Sequence, residues 1–213
     1  MSPLPHALCG GGACGHTAPM AICGIDEAGR GPWAGPVVAA AVILPARGRP
    51  KGLADSKQLS AEARDELAAA IRACAHVGVG VASVAEIDRL NILRASHLAM
   101  VRAFEALCMA AGAAPVAALV DGNMAPDLPC AVEWIIDGDA IAPLISAASI
   151  IAKVERDRMM IELCAQFSGY GFSKHKGYGT PEHQAALKER GPCEIHRMSF
   201  KPIRALLEAK DAA

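Results

Sequence analysis

Apolar positions along the chain follow two kinds of pattern: short blocks bounded by Gly, Pro or Asp, and longer stretches with helical recurrence. Residues 21 to 25 form the first short block and predict a strand. "PVVAAAVILP" predicts a second, bounded by Pro36 and Pro45, and the Gly-Pro-rich link between them predicts an antiparallel return. "DSKQLSAEARDELAAAIRAC" has helical periodicity, with Ser60 as the expected N-cap and Glu62 and Arg64 in its first turns. "HVGVGVAS" predicts a third strand. Residues 84 to 111 predict helix in two pieces around Asn91. "PVAALVDG" predicts a fourth strand ending at Asp121, and "AVEWIID" a fifth that runs out into Gly138-Asp139. "SAASIIAKVERDRMMIELCAQF" predicts a long helix, and residues 181 to 190 and 201 to 210 predict two short ones. No internal repeat is present.

This order predicts an α/β fold with one mixed sheet flanked by helices. Residues 1–19, rich in Gly, Pro, Ala and Ser, predict a disordered extension. Residues 20–213 predict one domain, with a helical C-terminal segment from about residue 168.

Composition narrows the picture modestly. The 213 residues are 53% hydrophobic, 20% charged and only 4% aromatic, so the core must be built from Ala, Val, Ile and Leu. A formal net charge of -1 excludes a polycationic chain, so any nucleic-acid binding needs a local patch. Lys174, Lys176, Lys188, Arg190, Arg197, Lys201 and Arg204 supply one candidate patch, with His175, His183 and His196 among them. A solvated surface is the plainer reading of those charges. The eight cysteines contain no CxxC pair. Cys9, Cys14 and His16 fit no standard zinc spacing. No Lys or Arg precedes Arg30, and no apolar run is long enough to span a bilayer; both predict a cytoplasmic protein without a membrane role.

The candidate chemistry lies at strand ends. Asp26 and Glu27 close the first predicted strand, Asp121 the fourth, and Asp139 follows the fifth. If strands one and four are parallel neighbours, these acids share one rim of the sheet, where α/β proteins bind ligands. Each acid could instead be a turn former or cap, and "DGN" after Asp121 is good turn chemistry. Converging carboxylates, however, repel one another unless a cation sits among them. Oxygen donors without His or Cys select Mg²⁺ or Mn²⁺, and room for two such ions suits phosphodiester cleavage. Arg30, between Gly29 and Gly31, reads either as a surface residue in a tight turn or as a phosphate fork beside exposed backbone N–H groups. Lys57 reads equally as a loop cation or a phosphate contact. Ser146, Ser149 and Lys153 share one helix, where Lys153 and Asp157 form an i,i+4 pair.

Taken together, "GIDEAGRGPWAGPVVAAAVIL", "DSKQLS", "VDGN", "GD", "AASIIAKVERDR" and "HKGYGTPEHQAALKERGPCEIHRMSF" resemble bacterial ribonuclease HII, from about residue 22 to 204. The resemblance implies a ribonuclease-H-like five-stranded sheet with a small helical C-terminal extension. It implies an endoribonuclease using Mn²⁺ or Mg²⁺. Its substrates would be the RNA strand of RNA–DNA hybrids and single ribonucleotides in duplex DNA, cut 5′ to the ribonucleotide at the junction to leave a 3′-hydroxyl and a 5′-phosphate. The implied roles are ribonucleotide removal from DNA and RNA primer removal, by a monomer. Asp26, Glu27, Asp121 and Asp139 match the catalytic, metal-holding acids. Gly29, Arg30 and Gly31 match the loop that contacts the ribonucleotide and its phosphate. Tyr178 matches a tyrosine that stacks at the RNA–DNA junction. Lys57, Ser146, Lys174 and Lys176 complete the expected substrate contacts. The chain departs from the pattern at Ile141 and Ala142, where polar residues are common, and at Glu155, which replaces a small polar residue. A non-catalytic nucleic-acid-binding module and a Mg²⁺-dependent phosphatase are the competing readings; the complete acid set and Tyr178 argue against them.

Overall fold

The structure is a computed structural model and describes residues 21–53 and 59–211. A five-stranded sheet has the order β3-β2-β1-β4-β5. Its strands are β1 (Ile22–Ala28), β2 (Val37–Ile43), β3 (His76–Ala82), β4 (Ala117–Asp121) and β5 (Ala131–Ile135). β1, β2 and β3 pair antiparallel in sequence. β4 joins β1 in parallel, and β5 joins β4 in parallel. This is the mixed sheet that the apolar pattern predicts.

The helices pack on both faces. α1 (Ala61–Cys74) and α5 (Pro143–Gln166) cover one, and α2 (Val84–Leu90) with α3 (Ile92–Ala111) covers the other. Strand alternation decides which residue meets which layer. Cys23 and Ile25 point into the α3 core, whereas Gly24 lies directly under α5. β2 is buried along nearly its whole length because both layers cover it. Its Ala39 and Ala41 face one core, and Ala40 faces the other. Small side chains let the layers approach closely, as the low aromatic content requires. At Gly78 and Gly80 the helix backbone comes closer still: a Cβ there would lie 2.2 Å and 2.1 Å from the Ala103 and Ala99 carbonyl oxygens of α3.

Local signals act as the sequence predicts. The Ser60 hydroxyl accepts from the Ala63 N–H and starts α1, as expected of that N-cap. Asn91, at φ 71°, ends α2 and caps α3 by accepting from the Arg94 N–H. β1 runs three residues past the predicted Ile25, because Ala28 still pairs with Val38 of β2. Asp26 and Glu27 therefore lie inside a paired strand rather than at its end. Two four-residue helices escape the sequence pattern: α4 (Gly138–Ile141), which carries Asp139, and α6 (Phe172–His175). α7 (Pro181–Arg190) and α8 (Lys201–Asp211) follow. Together with the end of α5, the C-terminal elements enclose a third core of Met160, Tyr170, Phe172, Leu187 and Ile203, closed by Ala34 from the β1–β2 connection. No helix among the described residues is long and apolar enough to cross a membrane.

The close approach of α3 is testable. Gly80→Ala should cost about 1–3 kcal/mol, because the added methyl meets helix backbone that cannot rotate away. Urea unfolding measures it, and an unchanged midpoint would show that α3 lifts freely.

Candidate active site

Sheet register brings the acids together. Ile25 is level with Val120 across the parallel β1–β4 pair, so the next step places Asp26 beside Asp121. Asp121 Oδ1 accepts from the Gly138 N–H at 2.8 Å, which ties the start of α4 to the end of β4. Asp139, in the first turn of α4, is held buried against the same rim. Glu27 has the opposite strand parity from Asp26, yet both line one open cavity of about 420 Å³ together with Asp121 and Asp139.

Their electrostatics are strained. Asp26 is buried, and that burial, reinforced by the charges of Glu27 and Asp121, holds its carboxyl well above the usual carboxylate range. The Ser149 hydroxyl and the Glu27 N–H, the latter at 2.7 Å, donate to Asp26 and offset only part of this. Burial also raises Glu27; Arg30 opposes that through a 3.2 Å ion pair, while Asp121 adds to it.

The donor set fits a hard divalent cation. All four wall acids offer oxygen. Among the described residues, no three His, Cys, Asp or Glu side chains are gathered closely enough to hold an ion by themselves, so further ligands would have to come from water or substrate. An open carboxylate wall is what Mg²⁺ favours, because it keeps several waters and takes further ligands from a substrate phosphate.

One cavity wall is the loop Gly29-Arg30-Gly31. Gly29 has φ 101°, and a Cβ on it would lie 2.0 Å from Arg156 Nε, so only glycine fits. Behind the loop, Arg197 donates to the carbonyls of Gly29 at 2.6 Å, Arg30 at 3.0 Å and Gly35 at 2.9 Å. Arg156 donates to those of Ala34 and Pro36. Trans peptide geometry then aims the Arg30 and Gly31 N–H groups the opposite way. Tyr178, 47% exposed, stands across from Gly31, where a Cβ would be 3.5 Å from its ring. The two loops are joined: the Trp33 N–H donates to Gly177 O at 2.8 Å, and the Trp33 ring packs flush on Gly179.

Asp26, Glu27, Asp121, Asp139, Gly29, Arg30, Gly31 and Tyr178 thus meet at one cavity. Ser146 does not. It is 1% exposed within α5 and outside the cavity lining; Ser149, three residues on, lines the cavity. Lys174 and Lys176 lie on α6 and at its C-cap, outside the lining, with the Lys176 amine donating to the Ser173 carbonyl. Lys57 lies outside the described residues. Arg197, grouped by sequence with the surface basic residues, is completely buried. Glu155 turns away from the cavity and pairs with Arg72 and Arg158.

Sequence reasoning passed over Arg64, Ser149, Lys153 and Arg156 as site residues, and all four line the cavity. A usable signal existed for three of them. Ser149, Lys153 and Arg156 recur at steps of four and three, which puts them on one side of α5. Lys153 holds Asp157 at 2.7 Å, the predicted i,i+4 pair.

Comparison with known proteins identifies one family and its fold. A family model described as Ribonuclease HII matches residues 23–203. The ribonuclease HII of Parvibaculum lavamentivorans is 57% identical over 187 residues, covering 87% of this chain and 68% of that protein. That of Bordetella pertussis is 57% identical over 188 residues, covering 88% and 92%. Among solved structures, ribonuclease H2 from Pyrococcus horikoshii superposes with a TM-score of 0.71 at 25% identity, over 91% of this chain and all of that one.

The raised acids generate a stability prediction. A carboxyl raised in the folded state contributes fully below its unfolded value, near the usual pH of about 4, and that contribution is lost as pH rises through the raised value. Asp26→Asn removes this loss while keeping an oxygen for the Glu27 N–H. Without metal, the variant should melt above the parent protein at about pH 8 and converge with it near pH 4. Mg²⁺ should raise the parent's melting temperature more than the variant's. A variant that melts lower at both pH values would make Asp26 a structural acceptor.

Proposed function

The chain belongs to the ribonuclease HII family and is a ribonuclease H, a hydrolase; beyond that, we propose that it is an endonuclease for both RNA–DNA hybrids and single ribonucleotides in duplex DNA. On this reading it cuts 5′ to the ribonucleotide at the RNA–DNA junction and leaves a 3′-hydroxyl and a 5′-phosphate. Its roles would be ribonucleotide removal from DNA and RNA primer removal, as a cytoplasmic monomer. The observation that carries the proposal is one cavity in which the carboxylates of Asp26, Glu27, Asp121 and Asp139 face a glycine-flanked arginine and an exposed tyrosine.

Asp26, Glu27, Asp121 and Asp139 would hold Mg²⁺ or Mn²⁺. When bound, such ions supply a water acidic enough to attack phosphorus and charge to steady the leaving oxygen. The remaining work falls to the chain. Arg30 forks onto the phosphate beside the cut, and its ion pair with Glu27 keeps it in reach. The Arg30 and Gly31 N–H groups meet the ribose 2′-hydroxyl, the group that distinguishes RNA from DNA. Tyr178 packs on the next sugar, where a deoxyribose fits and an extra hydroxyl crowds. Arg64, Lys153 and Arg156 add positive charge around the acids and draw the polyanion in.

Cleavage of end-labelled duplexes tests this. Asp26→Asn or Asp121→Asn should lower kcat by roughly 100-fold or more with Mg²⁺ or Mn²⁺, with duplex binding retained. Near-parental turnover would remove that residue from the metal site. Arg30→Ala should lower kcat/KM on both substrates by roughly 10- to 100-fold, since both carry the phosphate. Tyr178→Ala should cost about tenfold more on a single ribonucleotide in DNA than on a hybrid. Equal losses would make Tyr178 a general anchor and end the junction reading.

A further inference from the structure

Behind Tyr178 lies a group of buried histidines that the proposed chemistry does not use. His183 and His196 are both 0% exposed. Their Nε2 atoms are 3.0 Å apart. His196 Nδ1 is 2.9 Å from the Cys193 backbone nitrogen, and His183 Nδ1 is 2.9 Å from the Tyr178 carbonyl oxygen.

These contacts allow one proton arrangement. The Cys193 N–H can only donate, so His196 Nδ1 accepts and its proton sits on Nε2. That proton is donated to His183 Nε2, which leaves the His183 proton on Nδ1, aimed at Tyr178 O. The reverse direction, in which His196 Nδ1 would donate to Cys193 O at 3.2 Å, fails at both ends. It sets N–H against N–H at Cys193 and a bare lone pair against the Tyr178 carbonyl. Protonating both rings puts two N–H groups face to face at 3.0 Å. Burial pushes His196 down to about 4, with His183 lowering it further, and burial also lowers His183, so both rings are neutral near pH 7.

We infer that His183 and His196 are positioning residues for Tyr178: a one-way relay of neutral imidazoles that ends on its carbonyl and fixes where its ring meets the substrate. Tyr178 needs an external hold, because glycines flank it on both sides and Gly177 has φ 86°. His175 supplies the other half of that hold. Its carbonyl accepts the Tyr178 N–H at 2.9 Å, and its Nδ1 accepts the Gly177 N–H at 3.2 Å. Its ring stacks on His183 at 4.5 Å. The Thr180 N–H also donates to Tyr178 O, at 2.8 Å, so His183 supplies the second donor on that carbonyl; a leucine at residue 183 would fill the space and leave the backbone contact alone to orient the peptide.

The inference rests on Tyr178 reading the junction, and the test separates the two. Histidine ¹⁵N spectra of the parent protein near pH 7 should show the proton on Nδ1 of His183 and on Nε2 of His196. A proton on His183 Nε2 overturns the relay, whatever Tyr178 does. His183→Leu should raise KM for a single-ribonucleotide duplex about tenfold relative to a hybrid, with kcat within about twofold. His183→Asn, whose amide can donate from the Nδ1 position, should recover to within about threefold of the parent. In a Tyr178→Ala background, His183→Leu should change nothing further. If Leu and Asn lose equally, or neither does while Tyr178→Ala keeps its junction effect, the relay is packing only and the junction reading survives. If Tyr178→Ala itself spares the junction substrate, both ideas fall. Should the leucine variant not fold, the spectra and the asparagine variant decide.

Discussion

Two buried guanidinium groups hold the connection between β1 and β2. Arg156 and Arg197 together make six hydrogen bonds to carbonyls of residues 29 to 36. Taking two positive charges out of water is costly. Burial lowers Arg156 to about 10 and Arg197 to about 9, yet both keep their protons at neutral pH. The return is geometric. Planar, five-donor groups turn successive carbonyls inward, and the peptide N–H groups on the far side turn outward with them. A Gly-rich loop has many conformations of its own, and this clamp selects one. Lysine, with one rotating point charge, could not span carbonyls from Gly29 to Pro36 in this way.

Arg156 also reaches the cavity that holds the acids. Asp26, Glu27 and Asp121 destabilise one another, and no fold would retain that arrangement for stability alone. Sheet topology imposes it. β1 and β4 run parallel in register, so acids at equivalent depth become neighbours, and the Asp121–Gly138 hydrogen bond then brings Asp139 to the same place. Arg30, Arg64, Lys153 and Arg156 ring this negative centre. On the proposed reading, a phosphate in this cavity would find both cations and carboxylates, which suits a site in which divalent cations and substrate complete each other's coordination.

Much of this was legible because it is local. Strand alternation and bounding Pro or Gly marked all five strands, Ser60 and Asn91 marked helix ends, and Asp121 lay where a strand meets a turn. What depended on distance in sequence was not legible. Arg197 reads as one more basic residue of a polar tail, and nothing near it predicts carbonyl partners up to 168 positions away. Ser146 and Ser149 lie within one turn of α5, but that helix is apolar around most of its girth near them. Ser146, three residues before Ser149, falls on the same side as Ser149, Lys153 and Arg156, so spacing does not tell which serine reaches the cavity. Arg64 becomes a site residue only because α1 packs on the same sheet face as α5.

Residues 195 to 197 connect these threads. His196 bridges Ala34 in the manner of a short strand, Gly35 N–H donates to Ile195 O, and Arg197 N–H donates to Trp33 O. Neighbouring side chains on an extended segment point opposite ways. Here that alternation sends Arg197 to the glycine loop and His196, through His183, to Tyr178. The proposed reading needs a ribose on one side of the cut and a deoxyribose on the other, and so needs two contacts at a fixed separation. Two loops that drifted independently would blur that measurement. Adjacent residues on one paired segment, together with the Trp33–Gly177 hydrogen bond, couple the two loops, so on the proposed reading the spacing between its ribose-side and deoxyribose-side contacts would be held constant.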